Sequence, residues 1–339
     1  MFRECTLLVY SGAPWGATGG GQRPQRLAVE LASKFANVIH VGDSQWGSTK
    51  EQGNIFIPAW DGFEQEIDRI IDGSRVLSMI CFPYDYDRII ARSRWYIYDI
   101  IDDWKEFWKV DIAEWYDEAQ EDRLVRNAMG VTYTAKEYFE RKFPAIKNHG
   151  CHIPNGGVDN DDWFIEPVDF DSGEKNIVCV SHVGGPWWDW DAVVEIDIAC
   201  KENGWKFHLV GGGDTTLRPK LGATICYGPM PRPEALGIAS RCDVGVIPFK
   251  GDICPSVDPI KYHEYLTMGM NTVAGLDLIE MKHFKHVFMP IDGWGATLEM
   301  AVCDSPKISD GEKHEHSWRG RSEVLYRYML GIAFGRVGE

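Results

Sequence analysis

Lys261 and Glu264 stand three residues apart in the segment Asp258-Pro-Ile-Lys-Tyr-His-Glu-Tyr-Leu-Thr-Met-Gly269. On a helix that spacing puts both charges on one face. Pro259 suits the first helical position, where its missing N–H would be unpaired anyway. Asp258 is expected to cap the helix and Gly269 to end it as the C′ residue. The apolar run 244–249 just before it reads as a buried strand. A strand, a short polar loop and a helix start together offer free N–H donors and a positive dipole end to a phosphate. The backbone of Ser256, Val257 and Asp258 adds further candidate donors. A cation beside a phosphate, with a carboxylate able to bridge two vicinal hydroxyls, can grip a nucleotide diphosphate-sugar. The plain alternative for Lys261 and Glu264 is a solvated helix face; the strand and the Asp-Pro pair tip the balance towards use.

Other residues fall where the same ligand could be met. Gly20 and Gly21, in a glycine run after the first strand, open a helix and allow a backbone to approach a phosphate or sugar. The run is not G-x-G-x-x-G, so a dinucleotide reading is poor. Arg23 sits at that helix entrance, either facing a cleft or pairing with a surface carboxylate. Gly184 with Gly185, Gly211 with Gly212, and Tyr227 with Gly228 end strands of the second half and are candidate donor contacts; simple turns are the alternative. Asp102 and Asp103 follow an apolar run at 96–101. A carboxylate there can orient an acceptor hydroxyl or act as general base, with Asp103 favoured over Asp102. A capping acidic turn is an equal alternative.

Acidic D-x-D pairs occur at Asp85/Asp87, Asp169/Asp171 and Asp189/Asp191. An acidic chain makes such pairs by chance, and none follows a strand in a metal-binding context. His314 and His316 read as an exposed turn. No metal and no cofactor are expected, and no P-loop or G-x-S-x-G elbow is present.

Strand and helix signals alternate, which argues for parallel sheets covered by helices. Strands are expected at 6–10, 38–41, 76–82, 96–101 and 131–133, with helices at 24–34, 64–71, 112–127 and 136–142. A Gly-, Asp- and Pro-rich stretch at 155–173 reads as a linker. Strands follow at 177–181, 207–210, 223–227, 244–248 and 271–274, with helices at 192–201, 233–240, 259–268 and 323–334. The expected division is a first domain over 1–165, a second over 174–315, and a closing segment 316–339 whose helix returns to the first. Ligands are expected at the carboxyl ends of the strands, hence in a cleft between two doubly wound domains.

Composition bounds the rest. The 339 residues suit two domains, and 44% hydrophobic with 25% charged residues is ordinary for a globular chain. A formal net charge of −16 without a basic stripe argues against broad binding to nucleic acid or to an anionic membrane. Nine cysteines without C-x-x-C spacing, no export signal and no apolar run of about 18 residues fit a cytoplasmic protein without a membrane span.

In order along the chain, the glycine loop with its helix, Tyr98-Asp-Ile-Ile-Asp-Asp-Trp104, His152-Ile-Pro-Asn-Gly-Gly-Val-Asp159, the 244–269 segment and Ser317-Trp318 resemble the GT-B glycosyltransferases, above all the retaining group called family four. The resemblance covers most of the chain. It implies the GT-B fold, two Rossmann-like domains facing each other across a cleft, and transfer of a hexose or pentose from a nucleotide diphosphate-sugar, UDP-linked, to an acceptor hydroxyl with retention. It implies that Glu264 holds the ribose hydroxyls and that Lys261 lies near the diphosphate. Many relatives carry another Glu eight positions earlier, where this chain has Ser256. The acceptor is open: a glycan, a lipid-linked saccharide, a small metabolite or, against the charge, a hydroxymethylated DNA base as in phage enzymes. A non-catalytic sugar-nucleotide binding protein and a UDP-sugar epimerase on the same fold are the rival readings.

Overall fold

A computed structural model describes residues 2–16, 22–42, 50–58, 63–71, 73–84, 90–92, 95–147, 149–159, 162, 164–165, 174–213, 219–253 and 255–334. The chain divides into two compact units. One is Met1–Pro154 with Trp318–Glu339, the other Asn155–Ser317. Among the described residues no helix is long and apolar enough to cross a membrane.

The first unit is built on an eight-stranded sheet. Its strands are β1 (Cys5–Tyr10), β2 (Asn37–Val41), β3 (Lys50–Gln52), β4 (Ile55–Ile57), β5 (Arg75–Ile80), β6 (Tyr96–Ile100), β7 (Gly130–Tyr133) and β8 (Gly150–His152), in the order β3-β4-β2-β1-β5-β6-β7-β8. Every pairing is parallel except the β3–β4 hairpin. β1 lies between β2 and β5 and is buried along its whole length. That two-sided burial is why it reads as a continuous apolar run rather than an alternating one. Leu8, Ile39, Ile80, Tyr98, Leu124 and Phe139 lie in one core cluster.

The expected helix 112–127 is shorter. It spans Glu118–Asn127, because the Asp117 carboxylate accepts the N–H of Ala119 at 2.8 Å and of Gln120 at 3.4 Å and starts the helix there. The last helix is longer than expected, Trp318–Ala333, and Tyr328 ties it to β7 by accepting the Val131 N–H at 3.1 Å.

The second unit has a six-stranded, all-parallel sheet of β9 (Asn176–Val180), β10 (Lys206–Val210), β11 (Thr224–Gly228), β12 (Val244–Ile247), β13 (Asn271–Ala274) and β14 (Val287–Phe288), in the order β11-β10-β9-β12-β13-β14. Two separate cores cover it. One gathers Val193, Ile196 and Leu298 from helices Trp190–Asn203 and Trp294–Cys303. The other gathers Ile238, Tyr262, Tyr265 and Leu266 from helices Arg232–Ala239 and Ile260–Thr267. Gly245 makes the second packing possible, since a Cβ there would sit 2.1 Å from the Tyr265 ring. The chain runs outward from β9 to β10 and β11, then resumes at β12 on the other side of β9. The β9/β12 boundary is therefore a topological switch point, where open α/β sheets take ligands at the strands' carboxyl ends.

Candidate nucleotide site

Two loops meet at that switch point. Phe249, just past β12, pairs with Trp188 in the loop after β9, and the Lys250 N–H donates to the Trp187 carbonyl at 2.7 Å. Gly184 and Gly185 lie in the same loop. Gly184 has φ 86°, and a Cβ on Gly185 would sit 2.7 Å from the Trp187 ring, so the turn itself requires both.

Lys261, in the first turn of helix Ile260–Thr267, puts its Nζ 4.6 Å from the centroid of Phe249. It has no carboxylate within ion-pair distance among the described residues. Desolvation lowers its pKa below the ordinary lysine value, and Glu264 only partly offsets that. A cation–π contact recovers part of the hydration lost. Nearby, Ser256 is 2% exposed, and its Oγ has no hydrogen-bond partner among the described residues. Val257 is half-buried against the second core. An unpaired cation and an unpartnered buried hydroxyl ahead of a helix start are the electrostatics of an anion site.

Asp258 does something other than cap. The residue that flanks the helix is Pro259, which gives no side-chain cap. The Asp258 carboxylate instead accepts the His263 Nε2–H at 2.7 Å and the Asn155 backbone N–H at 2.5 Å. Its carbonyl accepts from the Asn155 Nδ2 at 2.6 Å. The His263 Nδ1 faces the His316 Nδ1 at 3.0 Å, so His316 is a structural partner rather than part of an exposed turn. The Asn155 contact, 103 positions away, is reached only through the fold, and a local capping rule does not see it. Gly269 does end the helix, one residue past the C-cap Met268, with φ 89°.

Glu264 is buried, 6% exposed, and its Oε1 accepts a hydrogen bond from the Arg232 Nη2 at 3.0 Å. It is not a solvated face. Arg232 was not singled out from sequence; the only signal was its place between Pro231 and Pro233, which gives a rigid backbone but names no partner.

At the other strand ends, Gly211 has φ 138° and Gly212 accepts the Val183 N–H at 2.9 Å, so the loops after β9 and β10 keep pairing beyond the sheet. A Cβ on Gly211 would sit 1.7 Å from the Ser181 carbonyl oxygen, so close backbone approach requires glycine there. Tyr227 is 36% exposed and stacks on His208, with its Oη 2.9 Å from the His208 Nδ1. The His208 Nε2–H donates to Asn176 Oδ1 at 2.9 Å, so the Nδ1 accepts from the tyrosine hydroxyl. Gly228, beside it, has φ 74°.

In the first unit Gly20 and Gly21 lie outside the described residues. Arg23 is a correction: it is 2% exposed, donates from Nε and Nη2 to the two oxygens of Asp99 at 2.9 Å each, and donates from Nη1 to the Pro154 carbonyl at 3.1 Å. A guanidinium so committed cannot serve a phosphate. Asp103 is buried at the carboxyl end of β6 and caps helix Trp104–Trp108 by accepting the Glu106 N–H at 3.3 Å. Desolvation raises its pKa above the ordinary carboxylate value, against the cap hydrogen bond and the Lys142 charge. Arg141 is 3.5 Å from its Oδ2. Asp102, beside it, is half-buried.

Among the described residues no group of three or more His, Cys, Asp or Glu side chains could hold a metal ion. Asp189 caps helix Trp190–Asn203, accepting the N–H groups of Asp191 and Ala192. The pairs Asp85/Asp87 and Asp169/Asp171 lie outside the described residues.

No family model matches the sequence, and no curated protein does. Solved structures do match the fold. HepE from Anabaena, in complex with UDP and glucose, is 12% identical with a TM-score of 0.57 over 98% of this chain and 97% of that one. UGT2 of Phytolacca americana, complexed with UDP-2fluoro-glucose and pterostilbene, is 10% identical with a TM-score of 0.53 over 97% and 100%. OtsA in its apo form is 10% identical with a TM-score of 0.59 over 99% of each chain. The chain has the GT-B fold of glycosyltransferases.

Proposed function

We propose that this protein is a glycosyltransferase that moves a sugar from a UDP-sugar to an acceptor hydroxyl, with retention at the anomeric carbon. The observation that carries it is the β12–helix unit. It combines Lys261, which has no carboxylate within ion-pair distance among the described residues, and the buried Glu264 carboxylate of one short helix with an unpartnered Ser256 hydroxyl in the loop before it, at the switch point of a sheet. That is the donor set for a diphosphate joined to a ribose. Two proteins of the same fold hold UDP or UDP-2fluoro-glucose, which supports uracil as the base.

The Lys261 ammonium and the helix N–H groups neutralise charge that builds on the departing diphosphate. No metal is required on this reading. Glu264 fixes the ribose, and the loop around Gly184 and Gly185 lies against the diphosphate side. Gly211, Gly212, Tyr227 and Gly228 are proposed donor-side contacts. In the first unit the acidic turn supplies the base for the acceptor hydroxyl; Asp103 is favoured, because desolvation strengthens it as a base, and Asp102 is second. The acceptor is a glycan, a lipid-linked saccharide or a small metabolite; the net charge of −16 disfavours DNA.

Calorimetry with UDP, GDP and TDP, joined to mass-spectrometric detection of UDP release from a UDP-sugar panel, tests the reading. UDP binds most tightly, Lys261→Gln weakens it about ten- to a hundredfold, as loss of a charged hydrogen bond implies, and EDTA changes nothing. Absence of nucleotide binding removes the proposal. Interconversion of UDP-sugars without acceptor points to an epimerase instead.

A further inference from the structure

Two Arg–carboxylate pairs, one fully buried and one with a half-buried arginine on a buried carboxylate, differ in one respect that separates architecture from recognition. Arg23 meets both oxygens of Asp99, and Thr132 Oγ1 adds a further hydrogen bond to Oδ1 at 2.6 Å. That carboxylate is closed. Arg232 meets only Oε1 of Glu264, and Oε2 has no hydrogen-bond partner among the described residues. A guanidinium fork is built to take both oxygens of a carboxylate. Here the second arm turns away: Nη1 lies 3.8 Å from Asp162 Oδ1.

The backbone under Arg232 is rigid. Pro231 and Pro233 flank it, and the Ile165 N–H donates to the Pro233 carbonyl at 3.1 Å. Met230 packs against the second core. On the other side of Arg232, Asp162 is fixed in a turn by accepting the Asp159 N–H at 2.9 Å. Glu264, on its own helix, is therefore held by an arginine that is itself held between two carboxylates. Burying a carboxylate is costly unless it is paired, and one charged hydrogen bond supplies that without filling the second oxygen.

We propose that Arg232 is a positioning residue that locks the Glu264 carboxylate in the rotamer whose Oε2 accepts from a ribose hydroxyl. This rests on the reading that the second unit binds a nucleotide diphosphate. Its consequence is selective: loss of Arg232 removes the response to the ribose hydroxyls and spares the response to the diphosphate.

The test is calorimetry of UDP against 2′,3′-dideoxy-UDP on wild type, R232Q, R232K and E264Q, with a thermal melt of each. Wild type prefers UDP by about ten- to a hundredfold, the span of a hydrogen bond to a charged group. R232Q and E264Q each lose that preference and bind dideoxy-UDP within about threefold of wild type, a margin well under one such bond. R232K keeps the charge and the stem but not the fork, and prefers UDP less than wild type does. It decides the matter should R232Q melt early: full preference in R232K overturns the inference. So does an R232Q protein that keeps the preference, or one that loses both ligands alike. Wild type that binds UDP without preferring it to the dideoxy form also overturns the role, while leaving the nucleotide reading intact. Wild type that binds neither removes the nucleotide reading itself.

Discussion

Arg23 and Asp99 form a two-armed ion pair, 2.9 Å on each arm, between the helix after β1 and the strand β6, with both side chains out of solvent. The pair crosses the interior of the first unit, and the remaining guanidinium arm holds the Pro154 carbonyl at the last residue before the second unit. Its role is structural, and it yields the first prediction. Arg23→Met leaves Asp99 buried without a countercharge, which costs about 3–5 kcal/mol. Urea denaturation reads that loss directly, and UDP affinity of the protein that remains folded is unchanged. A folded, fully stable Arg23→Met protein with weakened UDP binding would return Arg23 to the ligand.

Neither Arg23 nor Asp258 carries a full local mark of its partners. Arg23 looks like a surface residue at a helix entrance because its partner is 76 positions away. Asp258 looks like a helix cap because capping is a local rule, while Asn155, 103 positions away, is reached only in three dimensions, and His263 takes the carboxylate from within the helix it was expected to cap. Strands buried on both faces, such as β1 and β12, are legible as apolar runs; so is the helix carrying Lys261 and Glu264, through its Pro start and Gly stop. The β3–β4 hairpin escapes notice because Lys50, Glu51 and Gln52 are all polar and exposed, with no alternation to betray a strand. Arg232 escapes for the same reason as Arg23: nothing local ties it to Glu264.

Two buried histidines, one in each unit, predict how stability responds to acid. Burial lowers His40 from 6.5 to about 4; its ring nitrogens have no partner among the described residues, and it meets Trp15 edge-on at 4.9 Å. His208 is likewise lowered from 6.5 to about 4, by desolvation and then by Lys206. A folded pKa below the unfolded one means that the unfolded chain binds more protons across that window. Stability from these groups is therefore complete above about pH 6.5 and falls as the pH drops towards about 4, by up to about 3 kcal/mol each. Urea midpoints measured from pH 7 to pH 4.5 should fall, and His208→Gln should flatten the part that belongs to the second unit. A midpoint independent of pH over that range would mean that these imidazoles are protonated or solvated in the folded protein.

Asp103 is where the catalytic and the structural readings make opposite forecasts for one substitution. Its carboxylate caps helix Trp104–Trp108, so removal of the side chain by Asp103→Ala costs about 1 kcal/mol as the loss of an N-cap. Asn caps as well as Asp does, so Asp103→Asn keeps the helix start. Arg141, 3.5 Å away and 54% exposed, is solvated without it. What Asp103→Asn does remove is the ability to take a proton. With Asp103 as base for the acceptor hydroxyl, turnover falls about a hundredfold or more, the span of an acid–base group. The melting temperature and UDP affinity stay at their wild-type values, because the proposed nucleotide contacts belong to the second unit. Steady-state turnover of Asp103→Asn beside Asp103→Ala, each with a thermal melt, separates the two roles. Normal turnover in the Asn protein leaves Asp103 as a cap alone and passes the proton to Asp102.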